Sequence, residues 1–475
     1  MSKKQLITSL LAASICLPLQ AQQAWSLERC IEHAQQNSLS VKQAQNQVRA
    51  AELGLEQARF SRLPSLNGTI SGGMQFGRTI DPTTNTFDNR RIGFNSYGLN
   101  FGVALFAGNR INNNIQIGRL DLSATQLDAL QIANDLGLNV ATAYLNVLLS
   151  EEQLGLARQR LGQSQLQLEQ TDKLIQVGVR PSNERLNILS QIALDEQAVV
   201  QAENVVSLNY LALKQLLFLD PNEPFRIAQP VINMPADVNP DNYSSAEVFV
   251  SALGAQANIQ ASEKRMESAT KGIELARAGY YPTLNFFGGM NSNYSSASRR
   301  VAGFQDVTIP QTVIFNGQTV TFQIPQQIPS FEENPYFNQI NQNFGQNLGL
   351  SLSIPIYNNN RNKVSVERAR LNLIQQENNN QQLRQNLKTN VDRAIADAKA
   401  ARRTLDAAQK ALDAANAALQ NATVRYEVGA INALELQTVR NAKDQAVSDL
   451  LRAKYQYLFN VKLVEFYQGK KMTLD

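Results

Sequence analysis

Protein chemistry is mostly carried by histidine, cysteine and clustered carboxylates, and this sequence is poor in the first two. Its 475 residues hold one histidine, His33, and two cysteines, Cys16 and Cys30. Zinc needs three or four Cys, His or carboxylate ligands in fixed geometry, and no such set is evident. A single imidazole leaves little room for a Ser-His or Cys-His arrangement. There is no nucleotide-binding loop of the glycine-rich type, so any energy the protein uses must come from elsewhere. Its Asp and Glu residues fall at ordinary helix-surface spacing, which gives an enzyme almost no support. No catalytic residue, metal or cofactor is expected.

The elements behind this sparse chemistry are more informative. Composition is 43% hydrophobic but only 18% charged, below the roughly 25% charge usual in soluble domains. Gln, Asn, Ala and Ser fill the deficit. The mean hydropathy is −0.28, and no apolar run approaches the roughly 20 residues of a spanning helix, which excludes a helical membrane protein. Residues 1–21 pair Lys3 and Lys4 with an apolar stretch from Leu6 to Leu19 and end in Leu19-Gln20-Ala21. That is the layout of a secretory signal peptide. Ile15 is too large to precede a lipidated Cys16. Export leaves Cys30 alone, hence no intrachain disulfide. Losing Lys3 and Lys4 takes Lys+Arg from 44 to 42 against 40 Asp+Glu, a net +2 that gives no argument for nucleic-acid binding.

The sequence also repeats itself. Gly54, Glu56, Ala58, Arg59, Pro64, Leu66 and Asn67 recur as Gly272, Glu274, Ala276, Arg277, Pro282, Leu284 and Asn285, a shift of 218. Asn109-Arg110, Arg119-Leu120, Asn139-Val140, Leu161 and Val177-Gly178 recur as Asn360-Arg361, Arg370-Leu371, Asn390-Val391, Leu412 and Val428-Gly429, a shift of 251. The difference places 33 extra residues in the second half. The domain plan is thus a signal peptide at 1–21, a first repeat at 22–219, a linker at 220–243 with five prolines, and a second repeat at 244–475. The linker is expected to lie against the outside of the helical body.

Each repeat reads as helix, two strands, long helix, short helix. Residues 26–60 lack proline and read as one helix. Residues 110–177 and 361–428 do the same over a length that corresponds to roughly 100 Å of helix. They end at Gly178 and Gly429, suited to the left-handed conformation of a helix C-terminus. Pro-free segments at 182–218 and 432–466 follow after a short turn, so they must run antiparallel to the long helices. Two short helices are expected to stack end to end on each long one, with Leu127, Leu130, Leu138, Tyr144, Leu145, Leu148 and Leu154 as packing residues.

Period-two alternation marks the strands. Leu66, Gly68, Ile70, Gly72, Met74 and Phe76 alternate with Ser65, Asn67, Thr69, Ser71, Gly73 and Gln75. Tyr97, Leu99, Phe101, Val103 and Leu105 alternate with Ser96, Gly98, Asn100, Gly102 and Ala104. Leu284, Phe286, Gly288 and Met290, then Leu348, Leu350, Leu352, Ile354 and Ile356, repeat the pattern in the second half. A half-buried sheet of a soluble domain alternates in the same way. Export, low charge and the aromatic residues Phe94, Phe106, Tyr280, Tyr281, Tyr294 and Tyr357 at strand ends favour a membrane barrel. Four strands cannot close a barrel, and lipid tolerates no open edge, so copies must assemble. A dimer gives 8 strands and a trimer 12; a conduit favours three, because eight-stranded barrels are filled by side chains. Segments 77–93, with Asp81-Pro82, and 295–346, with Ile324-Pro325-Gln326-Gln327-Ile328-Pro329, read as external loops.

With these features the chain resembles the TolC family of outer-membrane efflux and secretion channels, over essentially all of the mature sequence. The duplicated plan, the Ala-Arg-x4-Pro-x-Leu entries to the first strands and the paired Val-Gly turns carry the resemblance. It implies an α+β membrane protein of tandem-duplicated long α-helical hairpins forming a helical barrel. Four β-strands per chain complete a 12-stranded transmembrane β-barrel as a homotrimer in outer-membrane lipid, with the tunnel crossing the periplasm. It also implies a periplasmic adaptor and an inner-membrane transporter as partners. The hairpin tips that would dock the adaptor are Val177, Gly178, Val179, Val428, Gly429 and Ala430.

Such channels close at the periplasmic end through acids and a tyrosine near those tips. Glu184 stands six residues after Gly178 and Glu435 six after Gly429, where the family often has Asp. Tyr426 stands three before Gly429, where a gating Tyr can occur. Thr438 replaces a second acid and Ile431 a latching Arg, so the implied latch is thinner, and an exposed surface role for Glu184 stays open. The competing assignment, a periplasmic coiled-coil adaptor or structural rod, explains the long helices but not two strand pairs with lipid-type alternation.

Overall fold

The computed structural model describes residues 24–80, 85, 87–89, 91–229, 239–315 and 317–473. The expected signal peptide, Asp81-Pro82 and the middle of the linker lie outside the described residues. Along the chain come α1 (Leu27–Asn37), α2 (Leu39–Phe60), β1 (Ser65–Gln75), β2 (Arg78–Ile80), β3 (Phe87–Asn89), β4 (Ile92–Ala107), α3 (Arg110–Gln176) and α4 (Asn183–Leu217). The second half adds α5 (Ser245–Ala255), α6 (Ala257–Arg277), β5 (Thr283–Ser295), β6 (Arg299–Phe315), β7 (Gln318–Glu333), α7 (Tyr336–Gln342), β8 (Gly345–Ser353), α8 (Arg361–Glu427) and α9 (Ala433–Tyr467). A helical unit combines the chain up to Glu52 with Leu120–Glu267 and Leu373–Asp475, and a sheet unit combines Leu53–Arg119 with Ser268–Asn372. Among the described residues no helix is long and apolar enough to cross a membrane.

In the helical unit the two halves match closely. The long helices α3 and α8 have 67 residues each and the short α4 and α9 have 35 each. Val140, Tyr144 and Val147 of α3 are buried with Cys30 of α1 and Leu213 of α4. Val391, Ile395 and Ala398 of α8 are buried with Val248 of α5 and Val464 of α9. The second set is the first shifted by 251 or 218, so one end of each of two short helices meets the other on the middle of each long helix.

The single helix expected over 26–60 is instead two. Ser38 leaves the helical conformation with ψ 131°, although its N–H still reaches the Ala34 carbonyl at 2.8 Å. The same break falls at Gln256, with ψ 116° and a 2.9 Å bond to the Ala252 carbonyl. Position 256 is 38 plus 218, so the kink is duplicated too. Ala34 and Ala252 are wholly buried, and both breaks sit where the short helices meet.

The described part of the linker is stitched into this unit rather than laid on its outside. Trp25 bridges Ile227, and the Tyr144 hydroxyl donates to the Ala228 carbonyl oxygen at 2.6 Å with the Trp25 carbonyl oxygen also in reach at 3.1 Å. Ile227 is buried in the core. The excess of amides has a local role along the helices, where Gln131 bonds Asp135, Gln382 bonds Asn386, Gln409 bonds Asp413 and Gln437 bonds Asn441 at 2.8–3.0 Å. Each such i,i+4 pair contributes about 0.2–0.5 kcal/mol, and the Gln–Asn pairs do so without net charge.

In the sheet unit, β1, β4, β5 and β8 form one antiparallel sheet in that order. Its register aligns the alternating sets of all four strands. Leu66, Phe101, Gly288 and Leu348 make one cross-strand row, and Asn67, Asn100, Gly289 and Asn347 the next. One face is therefore apolar and the other rich in amides. Gly288 leaves the room that Phe101 and Leu348 fill, since a Cβ there would collide with both. A bulge places Ala104 opposite Asn285 and Phe106 opposite Leu284. One extra residue reverses the alternation, so Phe106, and not Leu105, continues the apolar face. Ile354 and Ile356 lie past the end of β8 and are exposed.

Segment 295–346 is not the loop its prolines predict. β6 and β7 pair in register into a two-stranded ribbon, with Phe315 opposite Gln318. The two residues between them are Asn-Gly, a strong hairpin signal, and Gly317 takes the positive φ of 78° that such a turn requires. Pro310, Pro325 and Pro329 pair with Gln323, Thr308 and Phe304. All three pairs belong to the same alternate set in the ladder, so the missing N–H groups can all face the ribbon's outer edges.

Gly288→Val is expected to cost about 1–3 kcal/mol through overpacking, whereas Gly155→Ala, mid-helix in α3 with nothing within 4 Å of a Cβ, is expected to gain about 0.5–1 kcal/mol. Thermal melts of detergent-solubilised protein followed by circular dichroism would read both shifts; equal melting temperatures would contradict the packing described around Gly288.

Candidate functional site at the hairpin tips

The tips of both helical hairpins are closed by the same backbone device. At the end of α3, Gly178 takes φ +81°, its N–H reaches the Ile175 carbonyl at 3.0 Å and the Val179 N–H reaches Leu174 at 2.9 Å. At the end of α8, Gly429 takes φ +75°, with Gly429 to Tyr426 at 3.0 Å and Ala430 to Arg425 at 2.8 Å. These paired bonds satisfy carbonyls that a helix end leaves unmet. Neither glycine has a neighbour within 4 Å of a built Cβ, so conformation and not space demands glycine. Val177, Val179, Val428 and Ala430 are exposed around them, which leaves each turn an apolar rim.

Of the three predicted polar residues, the fold brings two together. The Tyr426 hydroxyl donates to Glu184 Oε2 at 3.3 Å. Between them sits Arg180, absent from the sequence expectation. Its guanidinium lies 3.4 Å from Glu184 Oε1, donates to the Tyr426 backbone carbonyl at 3.0 Å and covers the Tyr426 ring at 4.2 Å. The ion pair is largely enclosed, with side-chain exposures of 16% and 12%. Glu184 is thus not the free surface carboxylate that remained open. A cation at the last carbonyls of α8 also complements the negative end of that helix. Burial and the adjacent Glu184 carboxylate raise the Tyr426 pKa, partly opposed by Arg180, so the phenol stays protonated and keeps its donor.

Glu435 stands apart. It is exposed in the first turn of α9, and its N–H is capped by Asn432 Oδ1 at 2.9 Å. Among the described residues its carboxylate has no hydrogen-bond or ionic partner. The reason is visible in the repeat: 251 residues after Arg180 comes Ile431, buried with Ala422 and Leu436. Thr438 donates to the Leu434 carbonyl at 2.9 Å, a bond within its own helix. The first tip therefore carries a compensated acid and the second an uncompensated one. Arg180 had a signal in the sequence, the i,i+4 spacing of opposite charges to Glu184, but its contact with Tyr426 spans 246 positions and had none.

A family model described as outer membrane efflux protein matches residues 30–217 and 248–465. Fusaric acid resistance protein FusA of Burkholderia cepacia is 22% identical over 267 residues, 54% of this chain and 48% of that protein. The chain thus spans about half the length of that curated relative. Pyoverdine export outer membrane protein OpmQ of Pseudomonas aeruginosa is 24% identical over 445 residues, 90% of this chain and 82% of that protein. Among solved structures, one of CusC, reported with its folding and transmembrane channel formation, superposes with a TM-score of 0.73 at 20% identity, over 94% of this chain and 92% of that one.

Arg180→Met removes three contacts at once, and amide exchange in residues 174–186 and 424–431 is expected to accelerate about 5-fold or more, the equivalent of roughly 1 kcal/mol or above. Arg185→Met, which breaks a more exposed pair with Asp172 at 3.0 Å, should change exchange less than about 2-fold. Equal acceleration in the two variants, read by mass spectrometry, would count against an Arg180-centred clasp.

Proposed function

The chain belongs to the outer membrane efflux protein family, and on that premise we propose that it is the outer-membrane exit duct of a tripartite efflux or type I secretion system. A periplasmic adaptor and an inner-membrane transporter would supply cargo and energy, and the duct itself is a passive channel, not an enzyme. The observation that carries this function is the sheet of β1, β4, β5 and β8, apolar on one face, amide-lined on the other and open at both edges. Set in outer-membrane lipid, such edges must be paired. Three copies supply twelve strands and leave a lumen, whereas two would supply eight and fill it. The amide face then lines the passage, where neutral polar groups hold water without a strong field. In this assignment the repeats at 22–219 and 244–475, joined by the linker at 220–243, each contribute one helical hairpin and two barrel strands.

Arg180, Glu184 and Tyr426 form the resting clasp between the two tips of one chain. Glu435, uncompensated because Ile431 stands where an arginine would answer it, contributes three carboxylates to a ring at the periplasmic mouth, which attracts cations and hinders anions. The apolar rims at Val177, Gly178, Val179 and Val428, Gly429, Ala430 are the adaptor's footholds.

Detergent-solubilised protein is expected to show a trimer mass by light scattering, and a monodisperse monomer would contradict barrel closure. In planar bilayers Glu435→Ala should raise single-channel conductance or reduce cation preference, whereas unchanged conductance and selectivity would remove Glu435 from the gate.

A further inference from the structure

Among the described residues, one face of the ribbon of β6 and β7 has no partner. After a bulge between Val301 and Gly303, the register places Val307, Ile309, Val313, Val320, Phe322 and Ile324 on the same side. They are exposed, from 36% at Val320 to 55% at Phe322. Gln311 and Gln326 interrupt that side, and the opposite side is mixed, with Asp306, Thr308, Thr312, Thr321 and Gln323 beside the isolated apolar residues Phe304 and Ile314. A two-stranded ribbon standing alone in water is marginally stable, and an apolar stripe along it adds a further cost unless something covers it.

The ribbon's direction is fixed at its root. Gln339 of α7 is almost wholly buried. Its side chain accepts from the Ser295 N–H at 2.9 Å and donates to the carbonyls of Ser295, at 3.0 Å, and Asn334, at 2.8 Å. One amide thus ties the last residue of β5 to the residue after β7. The 13 residues of β5 extend roughly 43 Å, more than the apolar band of about 25 Å in an outer-membrane barrel. The ribbon starts beyond them, so hydrocarbon cannot be its cover. The ribbon's only cations, Arg299 and Arg300, stand at its root, Arg300 paired with Glu332 at 2.6 Å; from Val301 to Phe331 there is no Lys or Arg, so the apolar stretch itself has nothing with which to hold an anionic lipid surface. The prolines at the edges prevent strand addition there. What remains is a charge-free face that complements itself.

We propose that in the assembled trimer the three ribbons pack these apolar faces against one another around the threefold axis, capping the external exit of the duct. This rests on the trimeric channel proposed above, because barrel closure is what brings three ribbons together. The Thr and Gln face then points to water, and the cap narrows the exit independently of the periplasmic clasp.

Neighbouring cysteines on opposite faces test it in protein whose trimer mass has been measured. Ile309→Cys and Thr308→Cys sit at the same height and are exposed, so neither threatens folding. Downstream of the expected signal the only native thiol is Cys30, which is buried with its pKa pushed up to about 12, and it stays silent. On mild oxidation Ile309→Cys is expected to give mostly intermolecular dimers on a non-reducing gel and Thr308→Cys at least 5-fold less. Replacing 301–331 by a short glycine linker should leave the trimer intact and raise single-channel conductance. Equal crosslinking from both faces, no crosslinking from Ile309→Cys in a verified trimer, or unchanged conductance after the deletion would overturn the cap while leaving the channel standing. A monomeric wild-type mass would overturn both.

Discussion

Unpaired strand edges are the constraint on which the rest of this structure depends. Four strands with one apolar face are too few to close on themselves, and β1 and β8 each present backbone donors and acceptors on a free side. Water could satisfy them, but the apolar face formed by Leu66, Ile70, Phe101, Leu348 and Leu350 asks for lipid, which satisfies no backbone group. The two demands are compatible only when the edges of separate copies meet. The proposed passage is a consequence of the same condition, because the amide face of each sheet turns inward as the apolar face turns to lipid.

Duplication explains most of the helical unit, and departures from it locate the candidate chemistry. Cys30 and Val248, Ser38 and Gln256, Leu213 and Val464 occupy matching places in the two cores, down to a repeated break in the first helix. At the tips the copies part. Arg180 faces Glu184 and reaches Tyr426, whereas Ile431 is buried in an apolar cluster and leaves Glu435 in solvent. A strictly repeated pair of tips would carry either two compensated acids or none. Having one of each leaves an acid bound between the two tips and a bare charge at the second, contacts worth roughly 0–3 kcal/mol.

The long helices were legible almost to the residue because Gly178 and Gly429 end them with a conformation that few other residues accept, and because no proline interrupts them. Strand faces were legible from alternation until the bulge at Leu105, where one inserted residue exchanged it with Phe106. The break at Ser38 left no mark, since Ser and Gln are tolerated inside helices and the cause lies in tertiary packing. The ribbon was hidden by its prolines, which argue against a strand unless their missing donors can point away from the partner. Asn316-Gly317 was the one local signal for it. At the tips, Glu184 and Tyr426 were found through family resemblance, while Arg180, the residue that joins them, is visible only once two hairpins are folded side by side.

Edge pairing between copies is the most direct measurement of the closure condition. Two differently tagged chains would be co-expressed, one with a single cysteine along β1 (Ser65–Gln75) and the other with one along β8 (Gly345–Ser353), and oxidised in intact envelopes. Closure predicts disulfides between the two tagged chains, moving down β8 as the cysteine moves up β1, as antiparallel register requires. Absence of such crosslinks at every pair of positions, with both chains present in the outer membrane, would contradict it.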